Sequence, residues 1–447
     1  MSDNFRKYVL YEFSGKGKII LDYSADLTAN FQIYQLNPGN LVGTLFFTKF
    51  DSKINDIINF NRTFRFEGET TNGLKITAER CAAYSTEIRQ DDTLPGPVII
   101  SRFLINVLKV HNTDTLDYLV KERVTLCFEI GILNFYSTTN FMVKTEIGEI
   151  QSVNRLTNDD INIFKNLHIP NNTSFLRLKV KSEKTIEATK EKIFKVVDRI
   201  LELTSFALCT EIRWSYYSVF LNEFSASNLT FYESESRLPF TPNPHYIVEE
   251  HRITEFLNKS YNNTYTDQLN TKYNFSIALK WLLDSNALRY EVMKFISAST
   301  SLESILDSFS TESEKILPKK FDDIRKKIEQ IIKNEIANQI PPEDVESILQ
   351  RIPEINRRSY RKKAIRLLES LGILDDDTRE ALKEIIKVRD RITHSGRFVD
   401  PKDRTKAAKA YFKLITILTK VFLRILVPDD DTFRPTVCRS LEISGLA

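Results

Sequence analysis

Short runs of alternating apolar and polar residues dominate the first 265 residues of the chain. This alternation predicts half-buried antiparallel strands, because successive side chains of a strand point to opposite faces. Asn72 and Gly73 separate two of the runs and form a common hairpin-turn pair. The predicted strands are LVGTLFFTKF (41–50), RTFRFEGE (62–69), GLKITAERC (73–81), RVTLCFEIGILNFY (123–136), FLRLKVKS (175–182), IRWSYYSVFLNEF (212–224) and NLTFYES (228–234).

Apolar residues at helical spacing mark one segment of this first part and nearly all of the second. An apolar stripe over 184–207 predicts one long helix among the strands. The polar stretch 258–273 is read as a linker or loop. From Phe275 onward the predicted helices are 275–309, 318–338, 343–350, 358–371, 376–394 and 404–427.

These patterns predict a β-rich N-terminal region over 1–265, which is either one unit or two with a boundary between 137 and 160. An all-α helical bundle over 270–447 follows it. The expected fold class is therefore α+β and multidomain.

Composition adds limits to this picture. The four cysteines have no paired spacing, so we expect free thiols in a reducing compartment, and the chain starts without a signal-peptide pattern. The apolar segment 414–427 contains Lys420 and Arg424, which argues against a membrane span. We expect a cytoplasmic protein.

Positive charge is concentrated in the second part of the chain. Residues 318–427 contain 26 Lys and Arg against 17 Asp and Glu, a surplus of nine, whereas the whole chain has a net charge of only +3. A basic domain of this kind is typical of proteins that bind nucleic acid.

The segment VRDRITHSGR (388–397) carries the candidate chemistry. Arg389 falls beside the apolar stripe of the 376–394 helix, where a guanidinium needs an anion or a polar interface. His394 lies in the last turn before Gly396, where the helix dipole favours a protonated imidazole. An Arg and a His at this spacing are common by chance, so the context has to support the motif.

RDRITH (389–394) resembles the R-x4–6-H signature of HEPN domains, with Asp390 at the polar position. SIALKWLLDSNALRYEVMKFISASTSLESIL (276–306) and SYRKKAIRLLESLGI (359–373) are similar to the HEPN domain of the ApeA-type anti-phage proteins. The β-rich segment 43–81 also resembles the front of that family. The resemblance implies that the C-terminal bundle is a HEPN domain.

The resemblance further implies metal-independent cleavage of RNA in abortive infection, with transfer RNA as a candidate substrate and a phage protein as a candidate trigger. Two copies of the motif meet in such nucleases, so a homodimer or a higher even-numbered oligomer is implied. His394 would transfer protons, Arg389 would hold the phosphate and Asp390 would orient one of them. No cofactor or metal is required.

Further cations are candidates for contacts with the RNA backbone. They are Lys387, Arg391, Arg397, Arg357, Arg358, Arg361, Lys362 and Lys363. Simpler interpretations are open for every candidate. The run at 357–363 is equally well explained as a solvated helix face, His394 as an exposed residue at a helix end, and Arg389 as the partner of Glu384 or Asp390.

Glu291 and Glu303 are either contacts of the cleft or exposed helix carboxylates, and the second interpretation is preferred. As a whole, the helical part is alternatively a non-catalytic module that binds RNA or protein and dimerises through the motif. A toxin held by a separate antitoxin is a third, weaker alternative.

Overall fold

The architecture is given by a computed structural model of the chain. It describes residues 9–21, 24–36, 40–48, 54, 63–89, 97–112, 122–135, 139–154, 174–225, 228–235, 246–263, 266–288, 290–309, 321–336, 339–355, 359–395, 404–428, 430 and 432–433. The chain divides into two compact units, residues 1–261 and residues 262–447.

One antiparallel sheet of 13 strands organises the first unit. In chain order its strands are β1 (Val9–Leu21), β2 (Ser24–Leu36), β3 (Leu41–Phe47), β4 (Phe64–Thr70), β5 (Lys75–Arg89), β6 (Val98–Ile105), β7 (Val107–His111), β8 (Thr125–Leu133), β9 (Met142–Thr145), β10 (Gly148–Asn154), β11 (Ser174–Lys181), β12 (Arg213–Leu221) and β13 (Leu229–Glu235).

The order of neighbours across the sheet is β4-β1-β2-β3-β6-β5-β7-β13-β12-β8-β11-β10-β9, and β4 also pairs with β5. The extra pairing closes β4, β1, β2, β3, β6 and β5 into a ring of hydrogen-bonded strands. The long strand β5 makes this possible, because 75–81 pairs with β4 while 82–89 pairs with β6. β7 then connects the ring to the remaining strands.

The ring encloses an apolar core to which alternate residues of its strands contribute. Phe31, Phe66 and Phe103 are among its fully buried side chains. Glycine is required where strands and rings approach closely. A Cβ atom on Gly131 would lie 2.0 Å from the ring of Tyr216, so β8 has room for this buried ring only without a side chain at 131.

The helix α1 (Ile186–Leu208) lies between β11 and β12 in the sequence and has well-defined ends. The hydroxyl of Thr185 accepts a hydrogen bond from the Ala188 amide at 3.1 Å, which is an N-cap. Cys209 adopts the left-handed conformation (φ 47°) at the C-terminal end. The apolar stripe predicted for this segment is confirmed, because Ile193, Val197 and Ile200 are buried.

Most of the described residues after 246 are helical. The helices are a 3-10 turn (Glu250–Arg252), α2 (Ile253–Asn263), α3 (Thr266–Tyr273), α4 (Phe275–Ala287), α5 (Glu291–Phe309), α6 (Phe321–Ile331) with a π-helical extension (Ile332–Ile336), α7 (Pro342–Ile355), α8 (Tyr360–Ser370), α9 (Asp376–Ser395) and α10 (Arg404–Leu426).

Helix α5 is central to the packing of the second unit. It contacts α3, α4, α8 and α10, and α9 contacts both α8 and α10. Helices α6 and α7 contact each other, and α6 buries none of its side chains.

The fold class predicted from the sequence is wrong as stated. The strands form one 13-stranded sheet that includes the β9–β10 hairpin at 142–154, and not a loosely defined β-rich region. In the helical part, α6 buries no side chain, so not every described helix contributes to a common core. Local patterns identify elements, but they do not determine which strands pair or which helices join a core.

The interpretation of 258–273 as a linker or loop is also wrong, because 258–263 belongs to α2 and 266–273 is α3. Buried aromatic residues explain the helices despite their polar composition, since Tyr261 and Tyr273 are both buried. Among the described helices, none has the length and apolar character needed to cross a membrane.

Candidate functional site

Helix α9 carries the predicted motif and begins at a side-chain cap. The Thr378 amide donates to the Asp375 carboxylate at 2.6 Å. The hydrogen bonds from Thr378 hold the pKa of Asp375 below its ordinary value. This hydrogen bond caps the N-terminal end of the helix, which is continuous to Ser395.

The apolar face of α9 is best buried in its middle turns. Leu382 and Ile385 are fully buried, whereas Val388 and Ile392 are half-buried. Arg389 follows Ile385 by one turn and is also half-buried, with 27% of its side chain exposed. The guanidinium therefore lies at the margin of the core, as the sequence pattern predicted.

Glu303 of α5 is the principal partner of Arg389. The Arg389 Nε donates to the Glu303 Oε1 at 2.6 Å, and the Arg389 Nη2 donates to the same oxygen. The Arg389 Nη1 lies 3.5 Å from the Asp390 Oδ1. Burial alone would lower the pKa of Arg389, but the hydrogen bond and charge of Glu303 outweigh it and raise that pKa above its ordinary value. Arg389 is therefore a fixed positive charge.

Tyr360, the first residue of α8, covers one side of this guanidinium. The central carbon of the Arg389 guanidinium is 4.6 Å from the centroid of the Tyr360 ring, which is a cation–π contact. Burial, together with the negative charge of Glu303, raises the pKa of Tyr360. The Tyr360 hydroxyl is buried and has no hydrogen-bond partner among the described residues.

A second ion pair lies about one helical turn away and joins α5 to α8. Lys363 of α8 is 3.4 Å from Asp307 of α5, and only 12% of the Lys363 side chain is exposed. We call this group of residues the Arg389 cluster: Glu303, Asp307, Tyr360, Lys363, Arg389 and Asp390. The helix α5 supplies two of its residues, and the consecutive helices α8 and α9 supply the others.

The structure assembles only some of the predicted site residues. Arg389, Asp390 and Lys363 meet in the cluster. Lys387, Arg391, Arg361 and Lys362 are exposed on α9 and α8. The backbone of His394 lies in the last turn of α9, and its side chain is outside the described part of the chain. Arg357, Arg358 and Arg397 also lie outside the described residues.

The preferred interpretation of Glu303 as an exposed helix carboxylate is wrong, because this residue pairs with Arg389. Of the two acidic partners suggested for Arg389, Asp390 is confirmed at 3.5 Å, whereas Glu384 instead binds Lys413 at 2.6 Å. Tyr360 was not singled out from the sequence, although it is the aromatic residue of the basic run SYRKK. An aromatic residue within a run of cations is the sequence signal that could have indicated its contact with a cation.

Glu303 does not use all the N–H donors of Arg389. A guanidinium has five N–H donors, and Glu303 accepts two of them at one oxygen. The opposite edge faces Asp390, whose side chain is 53% exposed. Glu303 and Tyr360 hold the guanidinium in place from the other sides.

No three His, Cys, Asp or Glu side chains in the described ranges lie close enough together to hold a metal ion. The described cysteines Cys81, Cys127 and Cys209 are buried and form no disulfide with one another, and Cys438 lies outside the described residues. Burial raises the pKa of Cys209 to about 12. These thiols are therefore protonated packing residues at neutral pH.

The chain matches no family model, no curated protein and no solved structure.

Proposed function

We propose that this protein is a metal-independent endoribonuclease whose site is built from the C-terminal end of α9 in two copies of the chain. The observation that supports the proposal most strongly is the environment of Arg389. This residue is half-buried, ionised and oriented from two sides by Glu303 and Tyr360, and it lies on the same helix as His394.

The chemistry needs a proton acceptor, a proton donor and a positive charge. The 2′-hydroxyl of a ribose gives its proton to one imidazole as its oxygen bonds to phosphorus. The bond from phosphorus to the 5′-oxygen then breaks, and that oxygen takes a proton from an imidazolium. The products are a 2′,3′-cyclic phosphate and a 5′-hydroxyl. Arg389 stabilises the charge that builds on the phosphoryl oxygens.

Two copies of the chain explain how one acid and one base become available. Each copy supplies one His394, so a two-fold assembly supplies two imidazoles. On a regular helix, residues five positions apart lie about 140° apart around the axis. Arg389 of one copy would thus serve the phosphate beside His394 of the other, and Asp390 would orient one of these groups.

The substrate class that fits is single-stranded RNA, because attack by the 2′-hydroxyl needs a linkage that can align with the leaving group. A loop of transfer RNA is one candidate. The exposed cations on α8 and α9 would follow the backbone. The biological role that we propose is abortive infection in the cytoplasm, with a phage protein as a candidate trigger and the N-terminal unit as its sensor.

The test is to incubate RNA with the purified wild-type protein and with the His394→Ala variant, with and without EDTA, and to sequence the RNA ends. We expect cyclic-phosphate ends from the wild type in both conditions and none from the variant. Equal cleavage by the two proteins would show that His394 is not the catalyst.

A non-catalytic module is the second candidate, and the Glu303–Arg389 ion pair favours it. A guanidinium that already has a carboxylate partner can act as a structural ion pair. In this alternative the helical unit binds RNA or a protein and the motif contributes a dimer contact. This candidate would be supported if the protein binds RNA and the RNA is recovered uncleaved under every condition tested, including the presence of the trigger.

A further inference from the structure

A cavity of about 510 Å³ opens in the sheet of the first unit, where β1, β8, β11 and the segment after β12 meet. Its volume falls within the range typical of small-molecule sites. The residues that line it include a buried carboxylate and a guanidinium, Glu129 and Arg177. Neither residue belongs to the Arg389 cluster or to the motif on α9.

Glu129 is held in place by Arg177 and by Tyr11. It is directly opposite Arg177 on β11 and opposite Ser218 on β12, so the three residues form a row across the sheet. The Tyr11 hydroxyl donates to its Oε1 at 3.1 Å, and the Ser218 hydroxyl donates to Tyr11 at 3.0 Å. A carboxylate that is only 2% exposed is costly unless it is paired in this way.

Arg177 is the partner that neutralises Glu129, and the orientation of its guanidinium plane is fixed. The Arg177 Nε and Nη2 donate to the Glu129 Oε2 at 3.2 and 3.0 Å. Phe175 and Phe224 both lie against the guanidinium, with their ring centroids 4.8 and 4.7 Å from its central carbon. Such stacking fixes the plane in which the remaining N–H groups can act.

The unused edge of Arg177 is the feature that points to a ligand. Two of its five N–H donors bind Glu129, and within the described ranges the others have no hydrogen-bond partner. The edge formed by Nη1 and Nη2 presents two parallel donors. This fork matches a ligand that has two adjacent acceptors in one plane.

Charge and shape narrow the class of ligand. The charged residues that line the cavity are Glu12, Glu129 and Arg177, which give a net charge of −1 and disfavour an anion. Leu74, Phe220 and Leu229 add apolar wall for a flat ring, and Thr70, Thr71 and Asn72 add groups suited to hydroxyls. Guanine has adjacent O6 and N7 acceptors on one edge of an uncharged ring, and arginine commonly binds both.

We propose that this cavity binds a free guanine nucleoside through the outer edge of Arg177. The ring lies against the apolar wall, and the ribose hydroxyls reach the polar rim. This site does not depend on RNA cleavage by the helical unit. The first unit would then bind a small molecule at a site of its own.

Calorimetric titration of the full-length chain with guanosine tests the proposal. We expect saturable binding below about 1 mM, at least tenfold weaker binding of adenosine, and weaker binding of guanosine 5′-monophosphate because of its charge. Absence of saturation by guanosine would overturn the proposal. Equal binding of adenosine would overturn it as well.

The decisive variant is Arg177→Lys, which keeps a positive charge for Glu129 and loses the planar fork. We expect it to weaken guanosine binding by about tenfold or more while the far-ultraviolet circular dichroism stays that of the wild type. Arg102→Lys is the matched control, because Arg102 is also 37% exposed in its side chain and pairs with a strand glutamate, Glu87, outside the cavity. The same affinity for guanosine in Arg177→Lys and Arg102→Lys would contradict the proposal. A folding defect in Arg177→Lys is bypassed by Phe224→Leu, which removes one stacking face and should also lower the affinity.

Discussion

The ion pair between Glu303 and Arg389 should couple the stability of α5 and α9 to a measurable extent. Hydrogen bonds to charged groups contribute about 1.5–3 kcal/mol when they are well buried, and exposed ion pairs contribute about 0–1 kcal/mol. The two side chains are 27% and 35% exposed, which places this pair between those limits. We therefore expect a coupling free energy of about 1–2 kcal/mol, close to a tenfold change in an equilibrium constant.

A double-mutant cycle with Glu303→Gln, Arg389→Gln and the double variant isolates this coupling. Amide hydrogen exchange of α9 in the full-length chain reports the free energy of local opening, so the second unit need not be separated. The control is a cycle on Glu380 and Lys383 of the same helix, whose side chains are 65% and 60% exposed and should couple by no more than about 0.5 kcal/mol. A Glu303–Arg389 coupling no larger than that of the control would refute the argument.

Three further outcomes follow from the structure. Tyr360→Phe should leave the stability unchanged or raise it by up to about 1 kcal/mol, measured by the same exchange, because the buried hydroxyl has no hydrogen-bond partner among the described residues. Asp375→Ala should cost about 0.5–2 kcal/mol at pH 7 through loss of the cap on Thr378. Because the folded pKa of Asp375 is lowered, its contribution is complete above its unfolded pKa of about 3.9 and is lost as the pH falls through the lower folded value, which urea titrations against pH would show. Gly131→Ala should lower the thermal midpoint of the first unit, with a cost of about 1–3 kcal/mol, because the new Cβ would overlap the buried ring of Tyr216.

Strands with strong apolar alternation could be predicted from the sequence. Strands that contain glycine because a neighbouring strand approaches closely could not. β8, β11 and β12 coincide with predicted runs. The sequence pattern does not predict β1, because Gly15 and Gly17 have low strand propensity. A Cβ on Gly15 would lie 2.0 Å from the Glu69 carbonyl oxygen on β4, so glycine serves a close approach that local sequence does not reveal.

The candidate site was also predictable only in part, because local sequence patterns place single residues but do not identify their distant partners. The position of Arg389 at the margin of the apolar face follows from helical periodicity alone. Its partner does not, because Glu303 is 86 residues away in sequence and many carboxylates on helices are exposed. The stacking of Tyr360 on Arg389 likewise depends on how α8 and α9 pack.

The central claim is tested most directly by the chemistry of RNA ends produced by the purified protein. The account predicts that the wild type generates 2′,3′-cyclic phosphate and 5′-hydroxyl ends in the presence of EDTA, and that His394→Ala generates none while its amide exchange matches that of the wild type. Cleavage that EDTA abolishes, or that His394→Ala performs at the wild-type rate, would contradict the account.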